Sequence, residues 1–187
     1  MRRIINSTYI TLDGVVERPH LWPSTGTRDD EWEPLQTELL LSCDAMIMGR
    51  RTYEGFAAVW PTRPSDPYVD KINAMTKYVV SSSLTDPTWQ NTSVIPGDEA
   101  LASIAELKAS GGGDIIQYGV GQLTHALLEH GLLDELRLWI HPLFVGDATA
   151  ADLLFRPGSP HLFELSDLKR LGSGVVIATY TVQHEAP

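Results

Sequence analysis

Short apolar runs alternate with helical patterns along this chain. Residues 4–12, Ile-Ile-Asn-Ser-Thr-Tyr-Ile-Thr-Leu, predict a first strand closed by the turn pair Asp13-Gly14. A loop of about 18 residues follows, holding Pro19, Trp22, Pro23 and Gly26, and loops of that length inside a compact domain are usually functional. Leu35, Leu39 and Leu40 then recur at helical spacing and predict a helix over 30–42, with Asp29, Asp30 and Glu31 suiting the positive end of its dipole. Between Asp44 and Gly49 the run Ala-Met-Ile-Met has the pattern of a strand covered on both faces, and residues 50–59 are helix-like. Lys77 to Ser81 repeats the buried-strand pattern, and 92–95 predicts another strand. Asp98 is placed to cap a helix whose Leu101, Ile104 and Leu107 share a face and which Gly111 ends. Residues 114–118 form a third buried run. Gly119-Val120-Gly121 turns it into a helix with Leu123, Ala126 and Leu127 inward, ended by Gly131.

The last third changes character. Leu136, Leu138 and Ile140 alternate with Arg137, Trp139 and His141, the period-two pattern of a half-exposed strand. Two further strands, over 161–170 and 174–183, meet at Leu171-Gly172-Ser173-Gly174. Strand–helix units followed by an antiparallel segment predict an α/β fold: one domain over 1–187, three layers, and a mixed, mostly parallel central sheet with antiparallel C-terminal strands. In such a sheet a ligand sits beyond the carboxyl ends of the parallel strands, which directs attention to residues 49–52, 81–83 and 119–123.

Composition narrows the classes. The chain has 187 residues, 43% hydrophobic and 20% charged, an ordinary globular balance. Lys plus Arg number 14 against 24 Asp plus Glu, a net charge of -10, which opposes nucleic-acid binding. A single cysteine, Cys43, excludes a disulfide framework and a thiolate zinc site and suits a reducing compartment. No apolar run approaches the ~20 residues of a membrane span. Polar Asn6, Ser7, Thr8 and Asp13 interrupt any signal-peptide core, so a cytoplasmic protein without membrane association is expected.

Three segments carry candidate chemistry. Gly119-Val120-Gly121 brings backbone close to a ligand ahead of a helix N-terminus, a geometry suited to pyrophosphate, although Thr124 stands where a full dinucleotide fingerprint has a third glycine. Arg50 and Arg51 open a helix, where cations oppose the dipole by about 0.3–1 kcal/mol each. A bound phosphate would offset that, and arginine binds it through a planar fork. Ser81, Ser82 and Ser83 offer hydroxyls just past a buried strand. Ordinary strand–helix turns, solvated arginines and a serine-rich loop are the bland alternatives, and concurrence along one sheet edge favours the ligand. The histidines show no metal motif, no hydrolase elbow is present, and no metal is expected. Trp22 and Trp60 could wall a planar ligand.

Ser7 to Gly14, Met48-Gly-Arg-Arg-Thr-Tyr-Glu54, Tyr78 to Ser82, Gly113 to Gln122, and Leu132 to Leu138 with Pro142 to Gly146 occur in an order that resembles the dihydrofolate reductase-like fold. Within it the chain is similar to the C-terminal reductase domains of the riboflavin pathway (RibD). The resemblance covers nearly the whole chain. It implies an oxidoreductase with NADPH as hydride donor and, as alternative, a non-catalytic NADP(H)-binding or regulatory protein on the same fold. It matches Gly49, Arg50 and Thr52 to the cofactor helix, the Arg meeting the 2′-phosphate, Ser81 and Ser82 to the adenosine-side loop, and Gly119 to Leu123 to the pyrophosphate turn.

Taken with the direct reading, the cofactor-binding set is Gly49, Arg50, Arg51, Thr52, Ser81, Ser82, Ser83, Tyr118, Gly119, Val120, Gly121, Gln122 and Leu123. The resemblance further implies a planar heterocyclic substrate, pterin- or aminopyrimidine-like. It gives Glu33 as the catalytic carboxylate that anchors the ring or supplies the proton, its pKa raised if Trp22 and apolar helix side chains wall it. Tyr9, Asp13, Trp22 and Trp60 complete the expected substrate side, with Asp13 shaping the covering loop. Departures are Val120 in place of a small residue, and Val145 to Phe155, which lacks the family's second glycine and lysine and leaves Arg156 the one basic group there. A homodimer is expected, through the half-exposed strand near Trp139.

Overall fold

The computed structural model describes residues 1–23 and 30–184; the expectations for Gly26 and Asp29 fall outside them. The described residues form eight strands: β1 Ile4–Thr11, β2 Cys43–Gly49, β3 Thr76–Val80, β4 Thr92–Ile95, β5 Asp114–Tyr118, β6 Glu135–His141, β7 Leu162–Arg170 and β8 Val176–Gln183. Five α-helices accompany them: α1 Trp32–Ser42, α2 Arg50–Ala57, α3 Pro67–Ala74, α4 Ala100–Ala109 and α5 Gln122–Glu129. The strands hydrogen-bond in the order β4-β3-β2-β5-β1-β6-β8-β7. β2 pairs in parallel with β3 and β5, β3 with β4, and β1 with β6, whereas β8 is antiparallel to both β6 and β7. The expected mixed, mostly parallel sheet with antiparallel C-terminal strands is what forms.

The chain folds as two compact units. The first comprises Met1–Ile4 and Pro34–Tyr118, the second Ile5–Glu33 and Gly119–Pro187. In the first, Ala45, Met46, Ile47 and Met48 of β2 are all buried, as a continuous apolar run on a central strand requires. Cys43 is buried beside them and packs as core. Lys77 is also fully buried, its Nζ donating to the carbonyls of Asn73, Met75 and Gln90 at 2.8, 2.8 and 3.1 Å, with the Trp89 ring 4.4 Å away. In the second unit Ile10, Val16 and Val120 form a buried cluster against Leu138, Ile140 and Leu154.

Four details depart from the sequence reading. The stretch between Trp60 and Thr76 contains a 3-10 turn, Trp60–Thr62, and all of α3, whose Asp66 cap accepts a hydrogen bond from Val69 N–H at 2.7 Å. Asp98 does not cap α4: Glu99 holds that position and no side chain bonds there. Gly111 does not end α4 either, because Ser110 already leaves the helix in an extended conformation. The glycines beyond it serve a close approach instead. Arg2 donates to Gly113 O and pairs with Asp44, whose other oxygen accepts from Gly113 N–H at 2.7 Å, and a Cβ on Gly112 (φ +135°) would lie 2.8 Å from that carboxylate. Lastly, Trp139 does not lie on an exposed face of β6, although Arg137, Leu138, Ile140 and His141 are only half-buried. The strand lies between β1 and β8, and Trp139 is 2% exposed with its indole N–H donating to Ser7 Oγ at 3.0 Å.

Candidate functional site

In the first unit β2 delivers its chain to α2 through Gly49, which is extended (φ −81°, ψ 166°) and brings no side-chain cap. No acidic residue stands in the first turn, which opens instead on Arg50 and Arg51. Arg50 reaches the loop after β3: its Nη1 donates to Ser83 Oγ at 2.5 Å, while its Nε donates to Glu54 Oε1 at 2.6 Å, one helical turn on. Two of the predicted segments therefore meet. The Arg51 side chain is exposed and makes no ion pair or hydrogen bond among the described residues. The serines divide by role. Ser81 is buried and its Oγ accepts from the N–H groups of Ser83 and Leu84 at 3.2 and 3.0 Å, folding the loop back so that Ser82 and Ser83 face solvent. Gly97 makes room for Ser82, since a Cβ there would stand 2.4 Å from its hydroxyl.

The same unit ends in an aromatic cluster. Tyr118, the last residue of β5, accepts a hydrogen bond from the Tyr68 hydroxyl at 3.0 Å and packs on Phe56. Burial raises the Tyr68 pKa above its ordinary value. Trp60 packs between Phe56 and Tyr68 with the Arg63 guanidinium 4.6 Å from its ring, so it is already walled by protein groups. Thr52 is half-buried.

In the second unit the predicted glycine turn is held from below. Asn6 Nδ2 donates to Gly119 O at 2.7 Å, and Gly119 N–H donates to Ser7 O at 3.3 Å. Gly119 has φ +74°, the left-handed region that favours glycine, and a Cβ at either Gly119 or Gly121 would meet nothing within 4 Å. Thr124, where the fingerprint lacks its glycine, accepts from Gly121 N–H at 3.3 Å and so caps α5 itself. Val120 turns inward to the apolar cluster and leaves the open side of the turn to backbone. Gln122 is exposed and Leu123 half-buried at the start of α5.

A second aromatic cluster gathers in this unit around the ends of β1 and β6, where Tyr9 pairs with Trp139 and Thr11 with His141 in parallel register. Tyr9 lies 5.1 Å from Trp32, and the His141 ring is 5.2 Å from Tyr9, 5.2 Å from Trp32 and 5.4 Å from Trp22 between ring centres. Burial draws the imidazole pKa down to about 4, so the ring is neutral near pH 7. Neither Trp32 nor His141 was among the residues the sequence reading selected for the site. The alternation that placed Trp139 and His141 on one strand face was the available signal, and it was read as solvent exposure. Tyr9 and Trp22 are joined to each other through His141.

The remaining predicted residues take other places. Glu33 is exposed in the first turn of α1, and Trp22 sends its indole against His141. Asp13 accepts from Thr11 Oγ1 and from the N–H groups of Val145 and Gly146 at 3.1 and 3.0 Å. Those bonds, that from Thr11 foremost, hold its carboxyl below the usual carboxylate range and pin the loop after β6. Arg156 donates to the carbonyls of Ala150, Ala151, Leu153 and Phe155. Among the described residues no group of three His, Cys, Asp or Glu could hold a metal ion, and no helix is long and apolar enough to cross a membrane.

Comparison with known proteins accords with this architecture. The family model of the RibD C-terminal domain matches residues 2–177. The uncharacterized protein YyaP of Bacillus subtilis (strain 168) is 30% identical over 151 residues, covering 78% of each chain. Among solved structures, a provisionally named riboflavin biosynthesis protein from Shewanella sp. PV-4 superposes with a TM-score of 0.70 at 19% identity, over 98% of this chain and 100% of that one. A pyrimidine reductase-like protein from Corynebacterium diphtheriae follows at 0.67 and 13%, over 98% and 93%. At those identities the two structures speak for the fold.

Proposed function

This chain belongs to the RibD C-terminal domain family, and from that premise we propose that it is an NADPH-dependent reductase acting on a planar heterocycle of pterin or aminopyrimidine type. Family and fold are consistent with a reductase; the cofactor and the substrate are our reading. The observation that carries it is the join between α2 and the loop after β3, where Arg50 and Ser83 come within hydrogen-bond distance and Arg51 stands unpaired beside them. An arginine fork with a hydroxyl neighbour, at a helix start that lacks any carboxylate in its first turn, suits the 2′-phosphate that separates NADPH from NADH. In the second unit the open glycine turn at 119–121 leaves backbone accessible beside a helix start, which suits pyrophosphate. The bound dinucleotide would supply the hydride.

The chain's own residues would bind and orient. Gly49 and Thr52 flank the arginines, Ser82 offers a second hydroxyl, and Tyr118 to Leu123 carry the chain across the β5–α5 turn. On the substrate side Tyr9, Trp22 and Trp32 present ring faces, and Glu33 is the carboxyl assigned to orient the heterocycle or the water that gives the proton. Asp13 acts by fixing the loop after β6, and Trp60 by packing beneath α2 and α3.

The test is a titration with both dinucleotides. For Arg50→Ala, NADPH affinity is expected to fall by roughly 10- to 100-fold, the equivalent of a charge-assisted contact of about 1.5–3 kcal/mol, with NADH affinity little changed. Equal losses for the two would remove Arg50 from phosphate recognition, and failure of the unaltered protein to bind NADPH would end the reductase reading.

A further inference from the structure

The strand β7 is open along its whole length. It ends the strand order with β8 as its one neighbour among the described residues, and every residue of it but Lys169 is exposed. A strand with one neighbour presents a row of main-chain N–H and C=O groups to whatever lies beside it, and short edge strands are a common way to blunt that hazard. The opposite edge, β4, is four residues long, whereas β7 runs for nine. Pairing with β8 sorts the β7 side chains onto two faces. Phe163, Leu165 and Leu168 stand opposite Val182, Tyr180 and Ala178 and share one face. Leu162, Glu164, Asp167 and Lys169 share the other, with a bulge at Ser166 keeping each set in line. The first face continues the core outward: Ala178 and Val182 are buried, while Phe163, Leu165 and Leu168 beside them are 37, 50 and 60% exposed.

We propose that β7 pairs antiparallel with β7 of a second copy of this chain, across a two-fold axis between Ser166 and Asp167, joining two sheets edge to edge. The strand is complementary to itself in this register. Two two-fold registers keep like faces together across the bulge. One sets Glu164 opposite Asp167, a like-charge pair that the axis repeats. The other sets Glu164 opposite Lys169, Leu165 opposite Leu168 and Phe163 opposite Arg170. There a carboxylate meets an ammonium, leucine meets leucine, and a guanidinium lies against an aromatic ring, each pair again made twice. Within one chain those charges are lightly engaged: Glu164 accepts from Gln183 Nε2 at 2.9 Å, and Lys169 lies 3.9 Å from Glu31. Each chain carries a net charge of -10, so two copies repel at long range, and attraction has to come from local complementarity and the apolar face. The pairing is independent of the reductase reading.

The experiment is sedimentation velocity on the full chain at micromolar concentration and low salt, where exposed charges are least screened. The unaltered protein is expected to sediment as a dimer, at twice the chain mass of 20.6 kDa. Leu165→Asp places a charge in the apolar face and should give a monomer. Glu164→Lys and Lys169→Glu each turn two opposite-charge pairs into like-charge pairs, and each should raise the dimer dissociation constant roughly tenfold. Mixed in equal amounts, these two single variants should associate with each other, because every Lys of one then faces a Glu of the other. A folding defect in either variant would not be repaired by mixing, and thermal melting of each establishes that it is folded. A monomer for the unaltered protein, which would leave β7 to a different partner, overturns the pairing. So does a dimer undisturbed by Leu165→Asp, or single variants as tightly dimeric as the unaltered chain. Single variants that dissociate yet fail to associate when mixed overturn it as well.

Discussion

Glu33 stands exposed one residue after Trp32, whose ring packs on Tyr9 and His141. A carboxyl there stays in contact with water, where it can orient a ligand or a water. Glu33→Gln keeps the shape and removes the charge. The expected outcome is a slower single-turnover reduction whose pH dependence flattens, read by stopped-flow oxidation of NADPH; an unchanged pH–rate profile would remove Glu33 from the proton step. Arg50 poses the complementary question, because its guanidinium is shared by Ser83 and Glu54. A phosphate must draw on a pair already made, while the neighbouring Arg51 has no such competitor among the described residues. The arginines and serines were legible in the sequence as residue types in the right places. Their division of labour was not, because which hydroxyl folds the loop and which faces outward depends on backbone geometry. His141 was hidden for a related reason: a polar residue alternating with leucines is read as exposed, and only the aromatic rings of other elements bury it.

At the scale of elements, strands with a continuous apolar run were the clearest in the sequence, β5 matching its expected bounds. Such runs need both faces covered, and little else in a chain of this composition satisfies them. The helix α3 was missed because its apolar set is small: only Val69 and Ile72 are buried along it. What starts it is local chemistry. Asp66 precedes Pro67, which supplies a helical φ at the first position, and the aspartate oxygen takes the N–H of Val69. Asp66→Ala should therefore cost about 1 kcal/mol of stability, visible as a lower urea midpoint at unchanged slope. No measurable change would mean that tertiary packing alone holds α3. The alternation of β6 misled in the opposite sense. Period two reports that a strand has two unlike faces, not that one of them is wet, and here Trp139 takes the polar face with its N–H bonded to Ser7.

For the whole molecule, the histidines and carboxylates with displaced pKa values point to instability in acid, in two separate windows. His141 is held neutral by burial, its pKa lowered from 6.5 to about 4, and burial lowers His125 as well. An unfolded chain protonates its histidines below about pH 6.5, so between there and pH 4 the unfolded state binds more protons and stability falls as the medium is acidified. For His141 the loss is about 1–3 kcal/mol once solvent screening of its exposed part is allowed for. The carboxylates add the second window. Asp13, Asp152 and Glu129 are lowered chiefly by hydrogen bonds from Thr11, Thr149 and Ser159, and Asp114 is lowered by its bonds from Arg3 against the opposing effect of burial. Their contribution is complete above the ordinary carboxylate pKa near 4 and disappears as pH falls through their lower folded values. Melting temperature measured from pH 8 to pH 3 should therefore decline in two stages, the first ending near pH 4. In His141→Phe the first stage should shrink to what His125 contributes, while the second stays. A single decline confined to pH below 4 would show that His141 takes up its proton in the folded state as easily as in water, and that its packing among Tyr9, Trp22 and Trp32 does not hold the imidazole neutral.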